Sequence, residues 1–381
     1  MKAILPLTPT ATYYAHSIVA PCLNPPFSFL EFFAGSGLVS YAIAPFFSAV
    51  WANDNNPKKV TVYSANSCDE HLDHRSITEV SGASLPDAML SWASFPCQDL
   101  SLAGNGKGIL ANRSGLVWEW LRVMDEMPQR PPVLVAENVV GLVSANNGEH
   151  YKALHNALVN RGYLVGAVLL DAVHWLPHSR PRIFVIAVDE NVKIPHSLIS
   201  EGATWVHSPA IRKIADDMKN WVWWNIPLPQ PRSQNLSGIV DFNLPLHDDA
   251  TSSKNLGMVP EAHMRKLHES GLNVVPGYKR IRKGKQVLEL RFDEVAGCLR
   301  TPSGGSSRQY LVLKTENHWK TRILSPREAA RLMGAPEEFQ LPGTFNDGYR
   351  AMGDAVAAPV AEYLAKHLLF PLAKSCAYDN A

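Results

Sequence analysis

Paired cysteines are the first thing this sequence lacks. Its five cysteines, Cys22, Cys68, Cys97, Cys298 and Cys376, are odd in number and scattered, with no CxxC spacing. That excludes a disulfide framework and a cysteine-built zinc site, and it points to free thiols in a reducing compartment. Long apolar runs are missing too. The longest, 133–136 and 183–188, are strand-sized, far below the ~18 residues that a membrane span needs. Pro6, Pro9 and Pro21 interrupt the apolar lead-in, so no secretory leader is expected there. Charge of one sign is also absent: 36 basic side chains against 35 acidic ones leave a net charge of +1. The bulk balance therefore favours no polyanionic partner, and any such signal must be local. No internal repeat or low-complexity tract stands out. With 46% hydrophobic and 19% charged residues, the composition is that of a folded globular chain.

What is present is a rhythm. The 381 residues leave room for one large domain and a smaller one, at ~100–200 residues per domain. After a proline-punctuated lead-in over 1–27, strand, turn and helix alternate. Strands are expected at 28–33, 49–52, 87–91, 132–136, 163–170 and 182–188, and helices at 38–47, 115–126 and 151–161. This alternation predicts an α/β fold on a doubly wound, mostly parallel sheet. The rhythm stops after Val188. Residues 190–321 are rich in Pro, Ser, Asn and Trp, with short strands expected only at 286–290 and 310–313, and read as a second, irregular domain. Helical patterning returns at 325–333, where Ser325 is placed to cap, Pro326 opens the first turn and Glu328 completes a capping box. A last helix over 359–369 is expected to close the chain. The large domain would then comprise 28–189 and 322–381, with 190–321 inserted.

Chemistry concentrates at the expected strand ends, where open α/β sheets bind ligands. Pro96-Cys97 places a thiol after the run 88–95, and Glu137-Asn138 follows the run 132–136. A thiol and a carboxyl converging from two strand ends suit covalent attack on an electron-poor ring, with an acid beside the attacked atom. Taken singly, Cys97 is more simply a small inert apolar residue and Glu137 a turn-capping carboxylate. The glycine-rich, polar loop 98–108 is placed to close over a site. Phe33-Ala-Gly-Ser-Gly37 lies between a strand and a helix, so its backbone N–H groups are available to a ligand. Asp54 ends the next strand, where an acid accepts from ribose hydroxyls. Together they would serve a dinucleotide or an adenosyl cofactor. Arg180 and Arg182 enter the strand at 182–188 and are expected to point to opposite faces, one donating to a ligand and one bracing the loop. Residues 277–286 hold five basic side chains, Lys279, Arg280, Arg282, Lys283 and Lys285, and no acid. That stretch is either a solvated hairpin or a phosphate-contacting ribbon.

In this order, the elements resemble the DNA (cytosine-5)-methyltransferases of prokaryotic or phage type, from Phe29 to Leu369. The likeness is carried by Phe33-Ala-Gly-Ser-Gly37, Pro96-Cys-Gln98, Arg113-Ser-Gly-Leu116, Glu137-Asn-Val139, Arg180-Pro-Arg182, the 322–334 stretch with its Arg-Glu-Ala-Ala-Arg-Leu core, and Gly353-Asp-Ala-Val356. Four positions depart. Asp354 stands where the last motif usually has Asn, and His178 where Gln usually opens the arginine motif. Ser76 stands where an acid usually precedes Ile77, and Asn55 where an aromatic often follows the ribose acid.

The resemblance implies a Rossmann-like methyltransferase sheet with a smaller target-recognition domain, and S-adenosyl-L-methionine as cofactor. It implies methyl transfer to C5 of a flipped-out cytosine in a specific short sequence of double-stranded DNA. Cys97 would add to C6, Glu137 would serve N3, Arg182 would bond O2 and Arg180 would support the loop. Cofactor contacts carry over to Phe33, Ala34, Gly35, Ser36, Gly37, Leu38, Asp54, Asn55, Ile77, Pro96, Asp354 and Val356. DNA contacts are expected from Lys279, Arg280, Arg282, Lys283, Lys285 and Arg308, and no metal or membrane is implied. The expected setting is a monomer in a prokaryotic cytoplasm, nucleoid-associated on DNA, sharing its site with a restriction endonuclease where one accompanies it. Three rivals stay open: a tRNA cytosine-5 methyltransferase, a catalytically silent DNA-binding relative, and a nicotinamide dehydrogenase. The last explains the glycine turn and Asp54 but leaves the paired arginines and the Cys97–Glu137 set without a role.

Overall fold

Strand β1 (Phe27–Phe32) sends Phe29 into one apolar cluster and Leu30 and Phe32 into another. A strand buried on both faces belongs inside a covered sheet. The protein is described here by a computed structural model covering residues 25–67, 70–96, 115–301, 308–316 and 318–379. After β1 come β2 (Phe47–Asn53), β3 (Leu72–Asp73), β4 (Leu90–Ala93), β5 (Val133–Val139), β6 (Tyr163–Asp171) and β7 (Pro181–Asp189). They form one seven-stranded sheet in the order β3-β2-β1-β4-β5-β7-β6. Strands β1 to β5 pair in parallel, whereas β7 runs antiparallel to both β5 and β6. The sheet is therefore mostly parallel, with the reversal confined to β7. Strand order turns back between β1 and β4, the switch point at which such sheets open a crevice.

Helices cover both faces. Val360, Leu364 and Leu372 of the C-terminal helices join the Phe29 side, and Trp120, Leu121, Tyr151 and Leu154 join the Leu30 side. Three boundaries differ from expectation. The first helix spans only Leu38–Ile43, and Phe47, expected to end it, instead starts β2 buried beside Phe29. Pro45 lies between the two: it has no N–H to bond the carbonyl four residues back, so the helix stops before it. Strand β4 starts at Leu90, where pairing with Phe29 begins, after Pro86 and Asp87. The closing helix starts at Ala358, passes through a π-helical turn at Ala365–Leu369 and ends at Asp379.

Residues 190–321 are more ordered than their composition suggests. They contribute β8 (Val274–Arg282), β9 (Lys285–Leu290), β10 (Gln309–Lys314) and most of β11 (Trp319–Ile323), an antiparallel sheet of order β11-β10-β8-β9. Pro276 and Gly277 conceal the strand pattern of β8. Lys283 (φ 49°) and Gly284 (φ 76°) supply the left-handed pair that a two-residue hairpin requires. Along β10, Tyr310 and Val312 enter a small core with Leu288, while Leu311 and Leu313 join the main core. The smaller sheet is thus welded to the larger one. The β6–β7 connection adds to the weld: Ser179 N–H donates to Ala296 O (2.9 Å) and Ala296 N–H to Pro177 O (2.7 Å). Among the described residues, no helix is long and apolar enough to cross a membrane.

Candidate active site

Antiparallel register brings two of the expected residues together. Glu137 lies opposite Phe184 and Val139 opposite Arg182, so Glu137 and Arg182 are diagonal neighbours on one face. Arg182 Nε stands 3.1 Å from Glu137 Oε1, with the side chains 13% and 9% exposed. Burial pushes the Glu137 carboxyl above its ordinary pKa. Arg182, then Arg180, then a hydrogen bond from Ser94 pull it down without cancelling the rise. A carboxyl in that balance holds or shares a proton more readily than an exposed one.

Asn138 works on the neighbouring strand. Its Nδ2 donates to Phe95 O at 3.1 Å, and both residues are buried. Pairing of β4 with β5 runs up to Ala93 and Ala136, so the chain leaving β4 passes beside Glu137. Ser94, which bonds Glu137, also receives the Trp92 Nε1–H (3.0 Å). Pro96 comes next. Cys97 and the expected closing loop lie in 97–114, outside the described residues. What is described is the root of Cys97, residues 94–96, held against Glu137 and Asn138.

Arg180 and Arg182 do diverge, but not by strand alternation, because residues two apart on a strand share a face. Arg180 precedes β7 instead, its N–H bonded to Asp171 Oδ1 (2.7 Å). Its buried guanidinium donates to Leu299 O (3.1 Å), Gly353 O (2.8 Å) and Ala355 O (2.6 Å). Arg180 is a brace between distant segments. His178 is another. Its Nε2 accepts from Leu299 N–H (3.2 Å), so Nδ1 carries the proton and donates to Leu332 O (2.9 Å). Burial, reinforced by Arg180, drives its pKa well below the usual histidine range. A neutral imidazole offers one donor and one acceptor, the pair an amide would offer, which accounts for histidine in place of glutamine. Sequence reasoning missed Cys298, whose Sγ lies 3.7 Å from Arg180 Nη1. Burial raises that thiol's pKa, but Arg180 and Arg182 outweigh it and leave it below the ordinary value. An isolated cysteine carries no signal of such placement.

The glycine turn forms the second part. Phe33 (φ 57°), Gly35 (61°) and Gly37 (77°) are all left-handed. Ala34 N–H donates to Asn53 O (2.8 Å) and Gly35 N–H to Asp54 Oδ2 (3.0 Å), which ties the turn to the end of β2. A Cβ on Gly37 would lie 2.8 Å from the Tyr63 ring, whereas at Gly35 the nearest atom would be Phe33 O at 3.9 Å. The space beside Gly35 is open. Ser36 Oγ is buried with no hydrogen-bond partner among the described residues. An open cradle, an orphaned hydroxyl and a carboxylate at the rim fit an adenosyl ligand.

Asn53, which sequence reasoning did not single out, donates to Asp73 O (2.9 Å) and Arg75 O (2.8 Å), drawing the segment before Ile77 to the same strand end. Ser76 is engaged as a helix cap in a capping box with Glu79, so it does not replace the missing acid. Leu38, Ile77 and Val356 are buried, and Asn55 is exposed. Asp354 pairs with Lys59 Nζ (3.0 Å) and accepts from Thr301 Oγ1. Behind the turn, Glu31 is buried and takes a hydrogen bond from Ser40, whose hydroxyl meets Tyr63 Oη (3.3 Å), itself 2.9 Å from His71 Nε2. Burial pushes the Glu31 pKa up to about 8.

The basic hairpin is β8–β9, and its side chains are partly engaged. Lys279 Nζ lies 4.5 Å from the Tyr310 ring centre, Arg280 5.0 Å from that of Tyr278, and Arg282 pairs with Glu289 at 2.6 Å. Lys283 and Lys285 are exposed at the tip, and Arg308 Nη2 donates to Asn346 Oδ1 (2.7 Å). Among the described residues, no cluster of His, Cys, Asp and Glu is set to hold a metal.

Solved structures sharing this fold are methyltransferases. The S. pombe Dnmt2 methyltransferase superposes with a TM-score of 0.57 at 20% identity, covering 89% of this chain and 97% of that one. The Entamoeba histolytica methyltransferase EhMeth gives 0.59 at 16% identity, covering 88% and 96%. At such identities the likeness is one of fold alone. The family described as C-5 cytosine-specific DNA methylase matches residues 27–369, and the chain belongs to it. Type II methyltransferase M1.ScrFI of Lactococcus lactis subsp. cremoris is 26% identical over 356 residues, 92% of this chain and 79% of the relative. Type II methyltransferase M.HhaI of Haemophilus parahaemolyticus is 24% identical over 346 residues, 89% and 93%. The chain is accordingly a DNA (cytosine-5)-methyltransferase.

Proposed function

We propose that the protein transfers a methyl group from S-adenosyl-L-methionine to C5 of a flipped-out cytosine in one short sequence of double-stranded DNA. The observation that carries this reading is the buried Glu137–Arg182 pair beside residues 94–96, which lead directly to Cys97. Cytosine C5 is a poor nucleophile until an electron pair is added at C6. Cys97 adds there as a thiolate. The addition sends charge toward N3, where Glu137 holds or shares the neutralising proton. Arg182 donates to O2 of the base, while Arg180 braces the loop behind it. S-Adenosylmethionine, when bound, supplies the methyl group as an electrophile at C5. Loss of the C5 proton to a water then restores the 5,6 double bond and expels the Cys97 thiolate. None of these atoms is reachable inside a stacked duplex, hence the flipping.

The turn from Phe33 to Leu38 would cradle the cofactor and Asp54 would take its ribose, with Asn55, Ile77, Pro96, Asp354 and Val356 around them. Residues 28–189 and 322–381 would form the catalytic domain, and 190–321 the target-recognition domain. There Lys279, Arg280, Arg282, Lys283, Lys285 and Arg308 would face phosphates. A monomer sharing its site with a restriction endonuclease suits the type II relatives. The cytosine-specific DNA family favours DNA over tRNA, and the intact Glu137–Arg182 pair speaks against a silent relative. Sequencing 5-methylcytosine in DNA from cells expressing the chain tests the reading. Marks at one short sequence are expected, abolished by Cys97→Ala. No marks with the wild type, or undiminished marks with Cys97→Ala, would overturn it.

A further inference from the structure

Asp354 carries its charge at the last position of the helix Phe345–Asp354. Lys59 answers it, its Nζ 3.0 Å from Asp354 Oδ2, with the side chains 22% and 28% exposed. Lys59 sits in the first turn of the helix Pro57–Asn66, which begins just after Asp54. Two carboxylates act on it, Asp354 and then Asp54, and one cation, Arg350, opposes. Burial would push the ammonium pKa down, yet the two acids outweigh burial and raise it. Asp354 also accepts from Thr301 Oγ1. The helix that carries it, Phe345–Asp354, is fastened again to Pro57–Asn66 by Lys58 and Asp347 at 2.6 Å.

We propose that Asp354 is a positioning residue: its charge keeps the Lys59 ammonium off the Asp54 carboxylate, which accepts from Gly35 N–H (3.0 Å) and Asn56 N–H (2.8 Å) and keeps its remaining lone pairs for the cofactor ribose. This rests on the reading of Asp54 as the ribose acid. A lysine released from Asp354 is still attracted by Asp54 and repelled by Arg350, so it moves to Asp54 and competes with the ribose hydroxyls. A neutral asparagine at position 354 is therefore harmful in this chain unless Lys59 is replaced with it. Removing one partner of a partly buried pair strands a charge, whereas removing both does not.

The test compares the full-length wild type, Asp354→Asn and Lys59→Met/Asp354→Asn. Binding of S-adenosylhomocysteine is measured by calorimetry, KM is measured separately for S-adenosylmethionine and for DNA, and thermal melting is followed alongside. Asp354→Asn is expected to weaken S-adenosylhomocysteine binding ~10-fold, with the cofactor KM rising more than the DNA KM, and the double variant to recover to within ~3-fold of the wild type. A merely structural role would lower the melting temperature, raise both KM values alike and leave the double variant no better. Unchanged binding in Asp354→Asn, or a double variant as weak as the single, overturns the pair. A wild type that binds no S-adenosyl ligand overturns the cofactor reading, and the pair with it.

Discussion

At Glu137, burial and the Arg182 guanidinium act in opposite directions on one carboxyl, and burial prevails. Glu31 shows the same physics without a cation: a hydroxyl from Ser40 is its partner, and its pKa rises to about 8. The folded protein keeps a proton on Glu31 that the unfolded chain releases near pH 4.5. Its contribution to stability is therefore full below pH 4.5 and is lost as pH rises toward 8. The slope approaches about 1.4 kcal/mol per pH unit inside that window. Glu31→Gln keeps the shape and cannot ionise. Melting temperatures followed from pH 5 to 8 should fall less steeply in Glu31→Gln than in the wild type, and parallel curves would show that Glu31 ionises freely in the fold. Neither the burial of Glu31 nor its link through Tyr63 to His71 was legible in the sequence, where it is one acid in an apolar strand.

Among the elements, the glycine turn was the most legible, because its spacing between strand and helix leaves few conformations. The structure adds that its two glycines do different work. Gly37→Ala meets both a φ of 77° and the Tyr63 ring at 2.8 Å, whereas Gly35→Ala meets a φ of 61° in open space. Gly35→Ala is expected to cost about 1–2 kcal/mol of backbone strain. Gly37→Ala should cost at least about 1 kcal/mol more, from overpacking. Denaturant unfolding of both variants measures the difference, and equal losses would mean that Tyr63 yields without cost. The capping box at Ser325 was equally legible, since it is local chemistry, with Ser325 Oγ accepting from Glu328 N–H (3.2 Å) and Glu328 Oε2 from Ser325 N–H (2.8 Å). That the same Glu328 also grips Arg322 at 2.6 Å, fully buried, was not. The end of the first helix is legible in Pro45, which has no N–H to continue the helical bonding, but the expected helix runs past it to Phe47.

For the molecule as a whole, the inserted segment and the returning C-terminal segment meet at the β6–β7 connection. Arg180 joins Leu299 of the insertion to Gly353 and Ala355 of the return, and His178 joins Leu299 to Leu332. Arg180→Ala strips three carbonyls of their donor, and its cost is expected to be at least about 3 kcal/mol. Arg180→Lys, with a single ammonium, should fall between it and the wild type. Urea unfolding followed by tryptophan fluorescence checks this, and a midpoint unchanged in Arg180→Ala would remove Arg180 from the role of brace. The resemblance assigns Arg180 to support and Arg182 to the ligand; strand alternation, expected to separate the two, does not, because Arg180 lies before β7 rather than on its other face.

By itself, the sequence determined the class of fold, the glycine turn, the caps and the order of motifs that mark the family. Each of these depends on residues close together in the chain, where period, turn chemistry and spacing leave little choice. Only the tertiary structure decided that β7 runs antiparallel, which makes Arg182 a diagonal neighbour of Glu137. It also decided that Asn138 grips the root of Cys97, that Cys298 lies beside Arg180, and that Asp354 faces Lys59. These are contacts between side chains far apart in sequence. Strand order and register create them, and no local pattern records them.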